Sequence, residues 1–389
     1  MISRSSKDRK PRVDGISRLR ERRSDKWRRY PKEVLPLFVA EMDYALAPEI
    51  ARALHEAIDR SDTGYAWPRK LTETFARYAR EYFDWTVAPE SVVIVNDVMG
   101  GVAETLRTLT QRGDGVAIMP PVYPPFFEVV ATAERRVVEV PLLFEESYAI
   151  DWGALETAFA RDVRALLLCH PHNPIGRVFS RLELERIASL AQSHRVLVIS
   201  DEIHAPLTYS GAKHVPFAVV AEPLGIDVVT LMSASKAWNI AGLKCAQMIA
   251  GSGRVYERFQ QLPRDVTDRV GHLGVVATTA AYEHGQRWFR ETLNLLDENR
   301  KLVATLLAKH LPQIGYRMPE ATYLAWLDCR ALHLGDDPAR AFIEHGRVAL
   351  SPGPDFGMPG RGFARLNFAT SAEIITEAIV RMARAVAST

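Results

Sequence analysis

The chain has 389 residues, of which 47% are apolar and 25% are charged, and its formal net charge is +2. This length can form two domains around a sizeable core, and the composition is that of an ordinary globular protein. The nearly balanced charge argues against a nucleic-acid-binding groove, and no uncharged stretch approaches the roughly 20 apolar residues of a membrane span. Three widely spaced cysteines, Cys169, Cys245 and Cys329, form no disulfide framework and fit a reducing compartment. We therefore expect a cytoplasmic protein with no nucleic-acid or membrane partner.

The N-terminal segment from Arg4 to Arg29 is unusually rich in arginine and lysine. It contains no apolar run of the length found in signal peptides. We expect a solvated arm that lies across a neighbouring subunit, and contact with an anionic partner is the alternative.

From about residue 50 to residue 290, short apolar runs alternate with helical patterns. Most runs are continuous in aliphatic residues, which is typical of strands buried on both faces. The predicted strands are Val92–Val95, Val116–Met119, Val137–Val140, Ala165–Cys169, Val196–Ser200 and Val228–Met232. Helical patterns between them include residues 101–111 and 182–192, and the second begins with a capping box formed by Ser180 and Glu183. Repeated strand–helix–strand order predicts an α/β fold with a mostly parallel sheet.

The pattern changes after about residue 290. A long helix is predicted from Arg290 to His310, and short strands are predicted near Ala325–Asp328 and Arg365–Phe368. The first 46 residues contain no strong helix, and we expect them to pack against this C-terminal region. We therefore predict a large α/β domain over residues 47–290 and a smaller α+β domain formed by residues 1–46 and 291–389.

Lys236 follows the predicted strand Val228–Met232, in the run Ser233-Ala-Ser-Lys236. An isolated lysine is usually a surface charge. Here, however, the hydroxyl groups of Ser233 and Ser235 can donate hydrogen bonds to a phosphate at the end of the strand. A lysine held beside them can be a deprotonated nucleophile. Such a lysine can form a Schiff base with a carbonyl cofactor.

Two polar residues follow other predicted strands. Asp201 stands where the carboxyl end of a buried parallel strand usually meets a ligand, and its carboxylate can keep a pyridine nitrogen protonated. Helix capping is the alternative role for Asp201. Asn173 lies in an Asn-Pro turn, and its amide can donate to a phenolic oxygen. The preceding His170 and His172 have no third ligand at a suitable spacing, so we predict no metal site.

Arg365 lies inside an apolar strand pattern. A buried arginine requires an anionic partner. A substrate carboxylate, bound through two parallel hydrogen bonds, is one candidate, and a structural ion pair is the other.

Together these motifs resemble the fold type I aminotransferases of classes I and II, which use pyridoxal 5′-phosphate (PLP). The resemblance extends over nearly the whole chain. It rests on three motifs taken in order: Asn173-Pro, Asp201-Glu-Ile-His204 and Ser233-Ala-Ser-Lys236. Within that superfamily the chain is similar to the cystathionine β-lyase (C–S lyase) branch typified by the MalY and PatB proteins. Phe38-Val-Ala-Glu-Met-Asp-Tyr44 resembles the branch signature Trp-Val-Ala-Asp-Met-Asp-Phe, and Asp62-Thr-Gly-Tyr65 is also typical of the branch.

The resemblance implies a PLP cofactor and three catalytic residues. Lys236 would hold PLP as a Schiff base and act as the base at the substrate Cα. Asp201 would pair with the ring nitrogen, and Tyr123 would stack on the ring. Asn173 would donate to the phenolic oxygen, and His204 takes the place of a tyrosine that contacts the same oxygen in many relatives.

The resemblance also implies the residues that bind the substrate. The substrate would lie against Ala40, with its α-carboxylate on Arg365. Tyr65 would contribute to the site of the neighbouring subunit and reach the phosphate of its cofactor. A homodimer with shared active sites is therefore expected.

The phosphate site is expected at the turn Asp97-Val98-Met99, which leads into the predicted helix 101–111. Backbone N–H groups of Val98 and Met99 can meet a phosphate at the helix N-terminus. Asp97 departs from the Gly or Ser that is usual in the family, and we expect its side chain to turn away from the phosphate and cap the helix. Lys244 matches a position where aminotransferases often have a phosphate-binding arginine.

Removal of a Cα proton by Lys236 can lead to two reactions. If a thiolate leaves from Cβ, the products are a thiol, pyruvate and ammonia; otherwise reprotonation at the cofactor completes half of a transamination. The branch resemblance favours β-elimination from cystathionine or a cysteine S-conjugate. The alternatives are an aminotransferase and a specialised-metabolism enzyme whose departures from the branch (Phe38, Glu41 and Asp97) alter the substrate.

Two other classes of protein are disfavoured. A PLP-binding transcription regulator requires a DNA-binding module, but only about 45 residues precede the α/β region and they contain no helix-turn-helix pattern. A dinucleotide-binding dehydrogenase requires a G-x-G-x-x-G motif after a strand, which the sequence lacks.

Overall fold

The computed structural model describes residues 13–145 and 147–388. The strands in these ranges are β1 (Leu35–Pro36), β2 (Val92–Val95), β3 (Gly115–Ile118), β4 (Arg136–Glu139), β5 (Leu143–Phe144), β6 (Tyr148–Ala149), β7 (Val163–Cys169), β8 (Leu197–Asp201), β9 (Val228–Met232), β10 (Ala246–Ala250), β11 (Gly315–Tyr316), β12 (Leu324–Asp328), β13 (Val348–Ala349), β14 (Ser351–Pro352) and β15 (Phe363–Asn367).

The α-helices in the same ranges are α1 (Ile16–Leu19), α2 (Asp25–Arg28), α3 (Pro48–Asp59), α4 (Arg69–Phe83), α5 (Val98–Leu109), α6 (Pro125–Thr132), α7 (Trp152–Arg161), α8 (Arg181–His194), α9 (Phe217–Ala221), α10 (Gly253–Phe259), α11 (Arg264–Thr267), α12 (His272–His284), α13 (Gln286–His310), α14 (Pro338–Gly346) and α15 (Ala372–Ser388). The capping box at the start of α8 is confirmed, because the Ser180 and Glu183 side chains each accept the other residue's backbone N–H. None of the helices in the described ranges is both long and apolar enough to cross a membrane.

A seven-stranded sheet has the order β2-β10-β9-β8-β7-β3-β4. Its strands run parallel from β9 to β4, and β10 is antiparallel to both β2 and β9. The mostly parallel sheet predicted from the sequence is confirmed. All six predicted strands occur, with ends shifted by two residues at most.

The sheet is buried on both faces, as the continuous apolar runs predict. In β7, Leu166 and Leu168 pack into the core beneath α7, α8 and α9, while Leu167 and Cys169 pack into the core beneath α5 and α6. Because β7, β8 and β9 are parallel, their carboxyl ends meet at the same edge of the sheet. Residues that follow these three strands therefore come together.

The strand β10 was not predicted. It is short, and its sequence Ala-Gln-Met-Ile-Ala has a polar residue at the second position. Repeated strand–helix–strand order also gives no reason to expect an antiparallel strand in this sheet. Gln247 is nevertheless fully buried, because its side-chain carbonyl accepts a hydrogen bond from the hydroxyl of Tyr282 at 2.8 Å. A single tertiary contact thus satisfies the oxygen of the side chain that makes the run look unfavourable for a core strand, while Gln247 Nε2 has no partner among the described residues.

The C-terminal region contains a four-stranded antiparallel sheet with the order β11-β12-β15-β14. The predicted strands near residues 325 and 365 correspond to β12 and β15, and the predicted long helix is α13. The strand β1 pairs in parallel with β13, so the part of the N-terminal segment around residues 35–36 packs against this region, as expected. The division into domains at residues 47 and 290 stays a prediction.

Residues 13–29, the described part of the basic segment, fold against their own chain. Leu19 and Lys26 are completely buried and Trp27 is 9% exposed. The expectation of a solvated arm is therefore wrong for Leu19, Lys26 and Trp27, and contact of the segment with a neighbouring subunit stays a prediction. Residues 4–12 of that segment lie outside the described residues.

Candidate active site

A cavity of about 340 Å³ opens at the edge of the large sheet where β7, β8 and β9 end. It is lined by Ala40, Asp97, Val98, Met99, Tyr123, Cys169, Asn173, Asp201, Ile203, His204, Ser233, Ser235, Lys236, Ala241, Lys244 and Cys245. Of the residues that the sequence predicts for the site, only Arg365 and Tyr65 are missing from this lining. Arg365 lies directly behind Asn173, to which it is hydrogen-bonded.

Two larger cavities, of about 460 and 620 Å³, adjoin the turn Gly251–Gly253 that follows β10. This turn lies at the opposite edge of the sheet, because β10 runs antiparallel to β9. Neither cavity is lined by a lysine or a histidine. Of the three cavities, the one around Lys236 has the groups needed for nucleophilic or acid–base chemistry, so we take it as the candidate active site.

Lys236 lies four residues beyond β9, in a turn that its neighbours hold in place. The hydroxyl of Ser233 donates to the carbonyl of Cys245 at 2.7 Å, and Lys236 Nζ donates to the carbonyl oxygen of Ala40 at 3.0 Å. Burial and, second, the positive charge of Arg365 lower the pKa of Lys236 to about 8. An amine with this pKa is partly neutral near pH 7, so it can act as a nucleophile or a base.

Asp201 is the last residue of β8 and is only 4% exposed. One carboxylate oxygen accepts the backbone N–H of Ile203 at 3.1 Å, which is a local capping contact. No lysine, arginine or histidine within the described ranges forms an ion pair with Asp201. Burial raises the pKa of this carboxyl to about 7. A cationic N–H donor in the cavity would stabilise the charged form of the carboxylate.

Arg365, in β15, is 6% exposed and has no carboxylate partner in the part of the chain that the structure describes. Its Nη1 donates to Asn173 Oδ1 at 3.0 Å, and its Nη2 donates to the Phe38 carbonyl and to Ser351 Oγ, each at 3.0 Å. Its Nε has no partner among the described residues. Burial lowers the pKa of Arg365 to about 10. The structural ion pair is therefore absent within the described residues, and the guanidinium can still bind an anion.

Asn173 and His204 present nitrogen atoms to the same cavity. Because Asn173 Oδ1 accepts from Arg365, its Nδ2 is the end of the amide that is left to donate to a ligand. Burial, followed by the charges of Lys236 and Arg365, lowers the pKa of His204 to about 3, so its ring is neutral. Tyr123 is half-buried, and burial raises its pKa, so it stays a neutral phenol whose ring can pack against an aromatic ligand.

The start of α5 forms the other end of the cavity. Asp97 Oδ1 accepts the backbone N–H of Gly100 at 2.8 Å, so the predicted helix cap is confirmed, although α5 begins at Val98 rather than at residue 101. Asp97 Oδ2 pairs with Lys244 Nζ at 3.0 Å. Asp97 thus still faces the cavity, where the expectation was that it would turn away.

The surroundings of two further predicted residues, Ser233 and Tyr65, bear on their expected roles. The hydroxyl proton of Ser233 is used by the carbonyl of Cys245, so Ser235 is the better candidate for donation to a phosphate. Tyr65 is 96% exposed and does not line the cavity of its own chain. Its implied role in a neighbouring subunit stays a prediction.

The two histidines of the Asn-Pro turn contact backbone carbonyls. His170 Nε2 bonds the Val215 carbonyl, and His172 Nε2 bonds the Met119 carbonyl. Residues 13–145 and 147–388 contain no group of three or more His, Cys, Asp or Glu side chains that could hold a metal ion.

Sequence reasoning missed two residues that hold the cavity wall. The Tyr323 hydroxyl donates to the carbonyl of Ala40 at 3.0 Å, and the Ser351 hydroxyl donates to the carbonyl of Phe38 at 2.5 Å. Tyr323 lies 283 positions from Ala40 in the chain, and Ser351 lies 313 positions from Phe38. Ser351 is paired with Arg365 in the register of β14 and β15, but nothing in the local sequence indicates this.

These residues fit PLP. Asp201 is a buried carboxylate that lacks a cation among the described residues, and His204 Nδ1 is a buried polar atom with no partner there. A ring with a protonated nitrogen and a phenolic oxygen would satisfy donors and acceptors of this kind. Lys236 would hold the carbonyl carbon, and the start of α5 with Lys244 and Ser235 would hold the phosphate.

Comparison with known proteins gives the family. Residues 32–382 match the model of aminotransferase class I and II. The chain belongs to this family. A relative from Mycobacterium leprae (strain TN) is 45% identical over 95% of this chain and 96% of its own length. Cystathionine beta-lyase from Corynebacterium glutamicum is 34% identical over 95% of this chain and 98% of its own length.

The fold of this aminotransferase-family chain also matches solved structures. The crystal structure of cystalysin from Treponema denticola, which contains a pyridoxal 5′-phosphate cofactor, superposes with a TM-score of 0.91 at 30% sequence identity. The match covers 98% of this chain and 99% of that chain. The predicted fold type I architecture is confirmed.

Proposed function

We propose that this chain is a PLP-dependent C–S β-lyase that converts cystathionine or a cysteine S-conjugate to a thiol, pyruvate and ammonia. The similarity to a protein named cystathionine beta-lyase over nearly the full length of both chains supports this reaction. The observation that carries the proposal is the position of Lys236 between two uncompensated charges of opposite sign. Asp201 and Arg365 both lack a charged partner in the described residues, and both act on the pKa of Lys236.

When bound, PLP supplies an electron-accepting ring that stabilises negative charge at the substrate Cα. Asp201 holds a proton on the ring nitrogen, because its buried carboxylate gains most from a cationic N–H partner. Asn173, whose Oδ1 accepts from Arg365, would donate its Nδ2 proton to the phenolic oxygen, and Tyr123, which lines the cavity, would pack against the ring.

Arg365 binds the α-carboxylate of the substrate, since its Nε–H and its charge are not satisfied by the described residues. Lys236 removes the Cα proton, and its lowered pKa leaves part of the amine neutral near pH 7. The Cβ–S bond then breaks, the electron pair leaves with sulfur, and protonation gives the thiol. Addition of water to the remaining three-carbon fragment gives pyruvate and ammonia.

The test is a coupled assay on the purified holoenzyme with L-cystathionine and other cysteine S-conjugates. Pyruvate and free thiol are followed together, and equal amounts of both are expected. The Lys236→Ala variant is the matched control, and it should lose turnover while the visible absorbance of bound PLP changes. Wild-type turnover in that variant would remove Lys236 from the mechanism.

An aminotransferase is the second candidate, because the matching family model is that of the aminotransferases. In that case an amino acid without a leaving group at Cβ gives a keto acid in an amount equal to the enzyme, and further turnover requires a keto-acid acceptor. Acceptor-dependent turnover without thiol release would favour this reaction. Turnover of a thioether amino acid other than cystathionine would point to a specialised-metabolism enzyme, in which Phe38, Glu41 and Asp97 alter the substrate.

We also propose a homodimer with shared sites. Tyr65 and Trp67, in the loop between α3 and α4, are 96% and 77% exposed, which is unusual for large aromatic side chains and typical of an interface. Sedimentation of the holoenzyme tests the dimer. The three cysteines are buried free thiols, which supports a reducing, cytoplasmic location.

A further inference from the structure

The segment Phe38–Tyr44, here called the wall segment, supplies two backbone carbonyls to the active site. The carbonyl of Ala40 accepts hydrogen bonds from Lys236 Nζ and from the Tyr323 hydroxyl, both at 3.0 Å. The carbonyl of Phe38 accepts from Arg365 Nη2 at 3.0 Å. The two cationic groups of the proposed reaction are therefore both oriented by one piece of backbone.

The wall segment is not a strand of either main sheet. Besides the backbone bond from the Asp43 N–H to the Ala369 carbonyl at 2.8 Å and a bridge between Tyr44 and Val13, it is held by side chains from elsewhere in the chain. Asn239 brackets Met42, because its Oδ1 accepts the Met42 N–H and its Nδ2 donates to the Met42 carbonyl, each at 2.9 Å. Asn367 Nδ2 donates to the carbonyls of Val39 and Glu41, both at 2.7 Å. These contacts hold the face of the segment that is turned toward the protein core.

The basic N-terminal segment holds the other side. Arg22 donates to three consecutive carbonyls, those of Met42, Asp43 and Tyr44, at 3.1–3.2 Å. Lys26 Nζ donates to the Glu41 carbonyl at 3.0 Å and pairs with Asp43 Oδ2 at 2.9 Å. The side chains of Lys26 and Asp43 are both completely buried.

A fully buried lysine–aspartate pair is expensive to form, because both charges lose their hydration. A pair of apolar side chains would often stabilise the fold at least as well. Asp43 Oδ1 also accepts the indole N–H of Trp27 at 2.9 Å, whereas Oδ2 has only its ion pair with Lys26 and no hydrogen-bond partner among the described residues. The pair is therefore held by a specific set of contacts rather than by general packing. Such a set fixes one geometry of the backbone on which it acts.

We propose that Lys26 is a positioning residue for the reaction, which acts through its ion pair with Asp43 to hold the Ala40 carbonyl against the amine of Lys236. This inference rests on the proposed role of Lys236 as the base at Cα. A carbonyl in this position orients the amine toward the substrate. It also stabilises the charged form of the amine, because the carbonyl dipole points its oxygen at the ammonium group.

Charged groups near the Lys236 amine also affect its pKa, in addition to the Ala40 carbonyl. The cations that face it are Arg365, from β15, and Lys244, from the turn before β10. The anions that face it are Asp201, from β8, and Glu41, from the wall segment itself. The neutral ring of His204 also lies close to it. None of these groups is changed in the variants below.

The experiment compares full-length wild type with the double variant Lys26→Met/Asp43→Asn, which removes both charges and keeps an oxygen for the Trp27 indole. The variant Arg28→Met is the matched control, because it removes one exposed cation from the same helix, α2. The rate at which PLP is captured by protein freed of cofactor is measured against pH, together with kcat and KM of the holoenzyme. Capture requires the neutral amine of Lys236, so the midpoint of the rate profile reports the pKa of that amine.

We expect the midpoint in the double variant to lie at least about half a pH unit below that of wild type. We expect kcat to fall about tenfold with little change in KM, because misplacement of a base affects the chemical step. Arg28→Met should match wild type in both measurements. A folded double variant with an unchanged midpoint and unchanged kcat would overturn the inference.

If the proposed function itself is wrong, the result is different: the wild-type protein would then show no capture of PLP by Lys236 or no release of thiol. If the double variant does not fold, Arg22→Gln takes its place. Arg22 is partly exposed, and its loss removes three hydrogen bonds to the wall segment. Its other partner, the buried carboxylate of Asp14, keeps its ion pair with Arg18. The same shifts, in the same direction, are expected, and their absence would likewise contradict the inference.

Discussion

The candidate active site has a cation at each end, and the two cations are held differently. Arg365 is buried, and all of its acceptors in the described residues are neutral. The side chain of Lys244 is 61% exposed and is paired with Asp97. An arriving anion therefore meets an uncompensated charge at the Arg365 end and an already compensated charge at the Lys244 end.

This difference determines how much each end contributes to binding. Hydrogen bonds to charged groups contribute about 1.5–3 kcal/mol, whereas exposed ion pairs contribute about 0–1 kcal/mol. A phosphate near Lys244 must also share that cation with Asp97. We therefore expect the Arg365 end to control discrimination among substrates, and the Lys244 end to depend largely on the backbone N–H groups at the start of α5.

The largest effect is expected for Arg365→Gln. The variant keeps a neutral donor for Asn173 but loses the positive charge, so kcat/KM for amino-acid substrates should fall about 100-fold, mainly through KM. Thermal stability should be retained or increased, since burial disfavours the charged form of Arg365 in the folded protein. Steady-state kinetics and thermal unfolding measure the two outcomes.

The matched control for that variant is Arg330→Gln. Arg330 lies outside the cavity, is exposed and is paired with Asp328. It should leave kcat/KM within about twofold of wild type. If Arg365→Gln weakened an ester analogue of the substrate as strongly as the carboxylate itself, Arg365 would be a structural residue, and the contrast between the two ends would disappear.

A smaller effect is expected for Lys244→Gln at the other end. The dissociation constant of PLP, measured by titrating protein freed of cofactor, should rise about threefold to tenfold. The effect should shrink at high salt, because Lys244 is exposed to solvent. A change in substrate KM without a change in PLP affinity would assign Lys244 to the substrate rather than to the phosphate.

The fold could be predicted where one physical signal dominates. The strands β7 and β9 are mostly apolar, apart from Arg164 near the start of β7 and Thr230 in β9, and such runs are typical of strands buried on both faces. The start of α5 was predicted three residues late, although Asp97 followed by Gly100 supplies a cap. The strand β10 was missed because the burial of Gln247 depends on Tyr282, which is 35 residues away.

The site could be predicted only in part, for a related reason. Residues that follow the parallel strands, such as Asn173, Asp201 and Lys236, come together because of topology, which the sequence pattern reveals. The wall segment and its partners come together through hydrogen bonds and an ion pair from side chains elsewhere in the chain, which no local sequence pattern reveals. Lys26 is an example, because in the sequence it is one of many basic residues, and only the fold distinguishes it as completely buried.

The smallest effect, and the one that tests the comparison most directly, is expected for Asp97→Asn. Asparagine caps a helix about as well as aspartate, so α5 should keep its start while the cavity loses a negative charge beside the phosphate. PLP should bind about twofold to fivefold more tightly, with a weaker effect at high salt. In the background of Lys244→Gln, Asp97 repels the phosphate without a nearby cation to offset it, so there the same substitution should strengthen binding by more. If Asp97→Asn instead weakened PLP binding in the wild-type background, the Asp97–Lys244 ion pair would serve to orient Lys244 toward the phosphate. The position of Lys244 at the exposed end would then matter for binding as much as that of Arg365 at the buried end.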